Sequence, residues 1–390
     1  MEKRILFENA KLILDTKIIT SSVLVEKNHF VSFSSQLQNG IFAEQFNLSG
    51  QYVSPGFIDV HNHGAIGIDA NEANADGLHK ISKFLAAKGV TAWLPTLVPD
   101  AIENYQKSIE AIDELMQTQD NREPAARVLG VHYEGPFVNE KQCGALRTQF
   151  FKTYTNQNEF ESIPKLKTPG AIHLTTVAPE IAGGIELIKK LKEHNWIISI
   201  GHTRADINTL ETALTVGARH LTHFFNAMSG LHHREVGVAG WGIANDNVTF
   251  DIIADKIHVH PLMLKFACRS KTPEKTLLIS DSVSPTGLGD GEFTIWNEKI
   301  SVVNGRTQNE RGSIAGSVIT MLDAANNMRE LGFADFEISQ MASLNPAKLL
   351  GIEKDYGSIE IGKQADFVAI DENGAVKLTV VGGRVAFNAL

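Results

Sequence analysis

The stretch Pro55-Gly56-Phe57-Ile58-Asp59-Val60-His61-Asn62-His63-Gly64 joins an apolar run to two histidines separated by one residue. Read as a strand, its side chains alternate faces, so His61 and His63 leave its tip on the same side. Two imidazoles held that way can share one divalent cation at little ordering cost. A His-x-His pair also occurs by chance on surface strands, so its meaning depends on the rest of the chain. Seven further runs rich in β-branched residues follow, at 90–97, 127–133, 172–177, 196–200, 220–225, 248–254 and 276–279. Between them lie stretches with helical spacing, such as 78–88, 102–116, 184–194 and 206–216. Strands at 56–60 and these seven positions, alternating with helices, predict an α/β fold: a (β/α)8 TIM-type barrel. A doubly wound open sheet is the competitor, but no Gly-x-Gly-x-x-Gly turn follows the first strand.

Both ends of the chain read differently. Short alternating segments occur at 5–7, 11–14, 22–25 and 30–33, and again at 357–359, 366–370, 376–380 and 384–387. They predict one small β-sandwich-like domain built from 1–53 plus 355–390, with 54–354 as the barrel. The 390 residues suit one large barrel with such an appendage.

Composition narrows the class. Apolar content of 43% with 21% charged residues fits a soluble protein with a substantial core. A net charge of −9 without a basic block argues against nucleic acid or a membrane as partner. Cys143 and Cys268 are too few for a disulfide framework and fit a reducing cytoplasm. The start, Met1-Glu2-Lys3-Arg4-Ile5, leads into short alternating segments rather than a long apolar signal core, and no run is long enough for a membrane helix.

In a barrel of this kind the active site lies where the strands end. Strand one ends at His61 and His63, strand three at Glu134, strand five at His202, strand six at His223, and strand eight at Asp281. Four histidines and two acids would therefore meet on one rim. Glu134, His202 and His223 would give three ligands and an open position for water, with His61 and His63 holding a second ion bridged by Glu134. A bound cation lowers the pKa of water from roughly 16 toward 7. Asp281 would take a proton from that water and later deliver it to a leaving group, although an N-cap role is the plain alternative. Arg234 and His258 follow strands six and seven and suit a phosphate or carboxylate, and the segment 311–317 could offer backbone amides. His132 shares the face of Glu134, two residues on, and reads as support for the site or as core; the other histidines read as structural or surface residues.

These residues resemble those of the amidohydrolase superfamily, and within it the N-acetylglucosamine-6-phosphate deacetylases. The likeness runs nearly end to end: Pro-Gly-Phe-Ile-Asp-Val-His at 55–61, His-Tyr-Glu-Gly-Pro-Phe at 132–137, Gly-His-Thr at 201–203, Thr-His-Phe-Phe-Asn-Ala-Met at 222–228, Ser-Asp-Ser at 280–282 and Ile-Ala-Gly-Ser at 314–317. It implies a metal-dependent hydrolase in which Glu134, His202 and His223 bind the main metal and Asp281 is the acid–base. It also implies that Ala145, Asn226, Ala227, Arg234, His258, Ile314, Ala315 and Gly316 line the sugar-phosphate site. The counterpart of Arg234 reaches the phosphate of a neighbouring subunit, which implies a homodimer. Both histidines of the pair are kept, so one or two metals per subunit are expected: zinc, with iron, manganese or cobalt as alternatives. Strand four closes without the lysine that a carbamylated bridge would need.

The chain departs from that pattern twice. Leu146 stands where the family's carbonyl-polarising histidine belongs, leaving that role to the metal or to another group such as Arg147. Asp255-Lys256-Ile257-His258 replaces Asp-Gly-x-His, which is expected to put a bulky cation beside the site. The expected activity is hydrolysis of N-acetyl-D-glucosamine 6-phosphate to glucosamine 6-phosphate and acetate. The alternatives are a related substrate such as N-acetylgalactosamine 6-phosphate, or a catalytically silent binding protein.

Overall fold

A computed structural model describes residues 4–34 and 42–390; residues 1–3 and 35–41, assigned to the terminal domain on sequence, lie outside the described residues. Eight parallel strands form the barrel: Phe57–Asn62, Val90–Leu97, Gly130–Glu134, Ile172–Val177, Ile197–Ile200, His220–Leu221, Thr249–Ile253 and Thr276–Ile279. The ring closes between first and eighth strands, where Asp281 N donates to His61 O at 2.9 Å and His63 N donates to Ser282 O at 2.8 Å. Gly56 opens the first strand against Thr91; a Cβ there would meet Thr91 Cγ2 at 2.1 Å, so only glycine fits the approach.

The sixth strand is shorter than its apolar run suggests. It stops at Leu221, and the chain turns through left-handed residues at His223 (φ 32°), Phe225 (φ 76°) and Ala227 (φ 48°). The first strand runs on to Asn62, with an irregular register between Asp59 and Asn62 that spans His61. Helices fill the crossovers, including Ala75–Ala86, Ile102–Thr118, Gly184–Glu193 and Ile207–Thr215. Asn74 caps the first of these by accepting from Gly77 N at 2.9 Å, which satisfies one of its orphan donors. Their apolar faces bury Leu78, Ile81, Ile112, Leu187 and Leu210 against the outward side chains of the strands. The barrel interior is filled at its lower end by Ile58, Val60, Leu94, Leu174, Ile253 and Ile279. Only its upper rim is left to polar side chains.

The terminal segments form one eight-stranded sheet, because strands from both ends add to the same hydrogen-bonded series. Its path runs Arg384–Asn388, Val376–Val381, Phe367–Ile370, Tyr52–Pro55, Arg4–Ile13, Ile18–Glu26 and His29–Ser34, with Glu44–Asn47 also on Arg4–Ile13. The sheet includes Pro55, past the expected limit at residue 53. Arg4–Ile13 is one strand with an irregular register between Phe7 and Ala10, where two short segments were expected. Phe7 packs edge-on to Phe367 at 4.9 Å, joining the two ends of the chain in one core. Each phenylalanine buried there contributes about 1.5–3 kcal/mol.

A three-stranded insert that the strand-end reading does not predict follows the eighth strand: Gly291–Ile295, Glu298–Val303 and Arg306–Asn309. Its first turn has Trp296 and Asn297 at φ 52° and 65°, the two positive values that a two-residue hairpin requires. That turn carries Trp296 to the rim of the barrel. No helix among the described residues is long and apolar enough to cross a membrane.

Candidate metal centre

The six rim residues singled out by their positions at strand ends meet. His61, His63 and Asp281 offer ligand atoms all within 4.8 Å of one another, as do Glu134, His202 and His223. The groups share an edge, since Glu134 Oε1 lies 3.6 Å from His61 Nε2 and Glu134 Oε2 lies 3.4 Å from His63 Nε2. His202 Nε2 and His223 Nε2 approach Glu134 Oε1 at 3.0 and 3.1 Å. Asp281 Oδ1 is 3.4 Å from His61 Nε2 and 3.3 Å from His63 Nε2.

The donor set fits a cation. All four imidazoles turn the same nitrogen inward: His61 and His63 Nε2 are 3.2 Å apart, and His202 and His223 Nε2 are 3.1 Å apart. Two ligands at about 2.0–2.1 Å from one tetrahedral ion stand about 3.3 Å from each other, so these pairs have the separation of a shared ion. The outer nitrogens of three are held by the fold. His63 Nδ1 is 3.2 Å from Thr96 O, His202 Nδ1 is 2.7 Å from Gln142 O, and His61 Nδ1 is 3.1 Å from Thr222 Oγ1. His223 Nδ1 is buried without a partner.

Electrostatics agree with that geometry. With protein groups alone, burial opposes charge on Glu134, but hydrogen bonds from His202 and His223 hold its carboxyl well below the usual range. Burial likewise opposes charge on His223, which its contacts with Glu134, Asp281 and Asp251 nonetheless raise to about 9. A carboxylate that stays ionised in a buried site and collects imidazoles is ready to receive a cation. Three of these residues carry strained backbone: His202 at φ 46°, His223 at φ 32° and Asp281 at φ 49°. Non-glycine residues in the left-handed region cost roughly 1–3 kcal/mol, a strain that concentrates at functional sites.

The other expected site residues are dispersed. Gly316 packs against strand eight; a Cβ there would lie 2.6 Å from Val283 Cγ1 and 3.7 Å from Asp281 Oδ1. Ser317 N donates to Asp281 O at 2.7 Å, so Ile314, Ala315 and Gly316 are held beside that acid. Asn226 and Ala227 follow His223 in its turn, with Ala227 O accepting from Thr203 N at 3.1 Å. Ala145 O accepts from Arg311 Nη2 at 3.1 Å, on a loop whose Gly144 would carry a Cβ 3.6 Å from His202 Cε1. His258 Nδ1 pairs with Asp255 Oδ2 at 2.6 Å. Arg234 lies on an exposed loop and bonds His233 Nε2 at 2.7 Å; within one chain nothing ties it to the metal ligands.

Two expectations are corrected. Lys256 reaches Glu330 at 2.9 Å and is half-exposed, so its charge is spent in a surface pair. Its left-handed backbone, φ 66°, turns the chain between Asp255 and His258. Arg147 pairs with Asp100 Oδ2 at 2.8 Å and Pro99 O at 3.0 Å, which removes it as a substitute for the absent histidine. Leu146 is buried with Val98, Val138, Val283, Ile295, Trp296 and Ala315 in an apolar wall. Trp296 meets His63 edge-on, their rings 5.4 Å apart.

Three residues hold the centre from below: Asp59 and Asp251, which sequence reasoning passed over, and His132, which it left between support of the site and the core. Asp59 accepts from Ser280 Oγ at 2.6 Å and Asn62 Nδ2 at 3.0 Å, and burial raises its pKa to about 6 despite those bonds. His132 stands edge-on to His61 at 4.5 Å, bonded to Thr96 and Thr176, and burial keeps it neutral. Asp251 lies beneath His61 and His223. A charged residue in the otherwise apolar seventh strand was the signal for it.

The sequence matches the amidohydrolase family over residues 52–386. It is 34% identical to N-acetylglucosamine-6-phosphate deacetylase of Bacillus subtilis (strain 168), over 96% of this chain and 97% of that protein. It is 32% identical to N-acetylgalactosamine-6-phosphate deacetylase of Escherichia coli O157:H7, over 86% and 88%. The solved structure of N-acetylglucosamine-6-phosphate deacetylase from Thermotoga maritima superposes with a TM-score of 0.86 at 28% identity, covering 98% of this chain and 99% of that one.

Proposed function

This chain belongs to the amidohydrolase family, and on that premise we propose that it hydrolyses N-acetyl-D-glucosamine 6-phosphate to glucosamine 6-phosphate and acetate. The observation that carries the reading is the pair of ligand groups sharing Glu134, set beside Asp281 at the closing seam of the barrel. Glu134, His202 and His223 would hold the main ion, and His61 and His63 with Asp281 have the donors for a second. When bound, a divalent metal supplies Lewis acidity and an activated water; zinc suits this nitrogen and oxygen set.

Asp281 has two tasks. It accepts the proton of the attacking water, then delivers it to the amide nitrogen, which cannot leave as an anion. Its backbone N–H is fixed to His61 O and its carbonyl to Ser317 N, so the carboxylate is presented from a rigid corner. Burial opposes its ionisation, but His61 and His63 keep it ionised and able to act as a base. Leu146 can donate no hydrogen bond to the acyl oxygen. A missing preorganised donor typically costs about 3–4 kcal/mol in transition-state stabilisation, so more of that task falls on the metal centre here.

Substrate would lie over the loops carrying Ala145, Asn226, Ala227 and 314–316. Arg234, exposed and without an acidic partner among the described residues, is the residue we assign to a phosphate at the site of a second subunit, which makes the working form a homodimer. The free cysteines fit a cytoplasmic enzyme. Acetate release, followed as kcat/KM for phosphorylated and unphosphorylated N-acetylglucosamine and N-acetylgalactosamine, tests the reading. Glucosamine phosphate is expected to lead. Equal rates without phosphate would remove Arg234 and His258 as a phosphate clamp, and preference for the galactose epimer would transfer the activity to the related substrate.

A further inference from the structure

One buried carboxylate reaches both candidate ion sites. Asp251, 1% exposed in the seventh barrel strand, accepts from Thr222 Oγ1 at 3.2 and 3.3 Å and from His220 Nε2 at 2.9 Å. Its Oδ1 also accepts from the backbone N–H of His223. Thr222 Oγ1 lies 3.1 Å from His61 Nδ1, and Thr249 Oγ1 lies 2.8 Å from His220 Nδ1.

With Asp251 as a carboxylate surrounded by donors, we assign the single hydroxyl proton of Thr222 to Asp251. Its oxygen is then an acceptor toward His61, and His61 must carry its proton on Nδ1. The lone pair of His61 is thereby left on Nε2, the atom that faces His63, Glu134 and Asp281. His220 Nε2 faces Asp251 on the other side.

We propose that Thr222 and Asp251 are positioning residues that fix the ligating tautomer of His61 and hold it in register with His223, so that the two ion sites form as one unit. Outer hydrogen bonds of this kind orient metal-binding histidines and raise their affinity. The inference rests on the metal part of the proposed function and not on the identity of the substrate.

The test is titration of apo-protein with Co²⁺, read by equilibrium dialysis and by the visible spectrum of the bound ion. Thr222→Val keeps the shape and removes the hydroxyl; Thr222→Ser keeps the hydroxyl. Valine is expected to weaken the more weakly held ion, or the sole ion if one binds, about 10- to 100-fold and to alter its spectrum. Serine should restore both, and in turnover valine should lower kcat with KM unchanged. Asp251→Leu, which removes both acceptor oxygens, should repeat the valine result and serves if Thr222→Val does not fold. Wild-type affinity and spectrum in either folded variant, or a serine variant as weak as valine, overturns the inference. Failure of wild-type protein to bind cobalt would instead overturn the metal reading on which both rest.

Discussion

The two flanks of the site are built on opposite principles. On the strand side, His61, His63, Glu134, His202, His223 and Asp281 are polar, buried and mostly tied through a second atom to the barrel. On the loop side, Leu146 and Trp296 meet in a wall of apolar side chains. The first arrangement fixes charge and direction; the second fixes shape and keeps water away from His63. The contrast indicates that the hydrolytic chemistry belongs to the barrel strands, whereas the loops and the inserted hairpin adjust what it acts on.

That contrast can be broken first at Asp281. Asp281→Asn removes the proton carrier and one candidate ligand but leaves Glu134, His202 and His223 in place. It should lower kcat for acetate release by about 10²–10⁴-fold while the main ion is retained in metal analysis. Turnover near the wild-type rate would assign the proton transfers elsewhere.

On the opposite flank the expected loss is in stability. Leu146→Ala leaves a hole among Val98, Val138 and Trp296 and should cost about 2–5 kcal/mol in denaturant unfolding, with metal content unchanged. Loss of metal in that variant would show that the wall and the ligand cluster are not separable.

A smaller effect sharpens the same line between them. Asp59, beneath the centre, has its folded pKa raised by burial to about 6 against 3.8 when unfolded. A raised carboxyl contributes stability that is full below about pH 4 and is lost as pH climbs through about 6. Asp59→Asn, which cannot ionise, should gain on wild type between those limits by up to about 3 kcal/mol. Denaturant midpoints for the two proteins across that range measure it; a difference that does not change with pH would mean that folding leaves the Asp59 pKa where it stands in the unfolded chain.

Much of the strand side was legible in the residues. The ends of apolar runs announced His61, His63, Glu134, His202, His223 and Asp281, because parallel strands of a barrel all finish at one rim. The loop side was not. Arg147 and Lys256 read as groups facing substrate, yet Asp100 and Glu330, distant in sequence, had already claimed them. Trp296 was invisible as a site neighbour, since only a hairpin turn with two left-handed residues brings it to His63. Asp251 showed itself only as an odd acid within an apolar run.

Periodicity and strand-end chemistry alone determined that this polypeptide folds as a barrel with an appended terminal sheet and gathers candidate cation ligands on one rim. Those features follow from local rules: alternation within strands, and the type of side chain at each tip. The tertiary structure alone decided which nitrogen of each imidazole faces inward, which cations are already neutralised, and what stands beside His63. Each depends on a partner tens to hundreds of residues away, and hydrogen-bond direction and charge pairing are set by such partners rather than by neighbours in sequence.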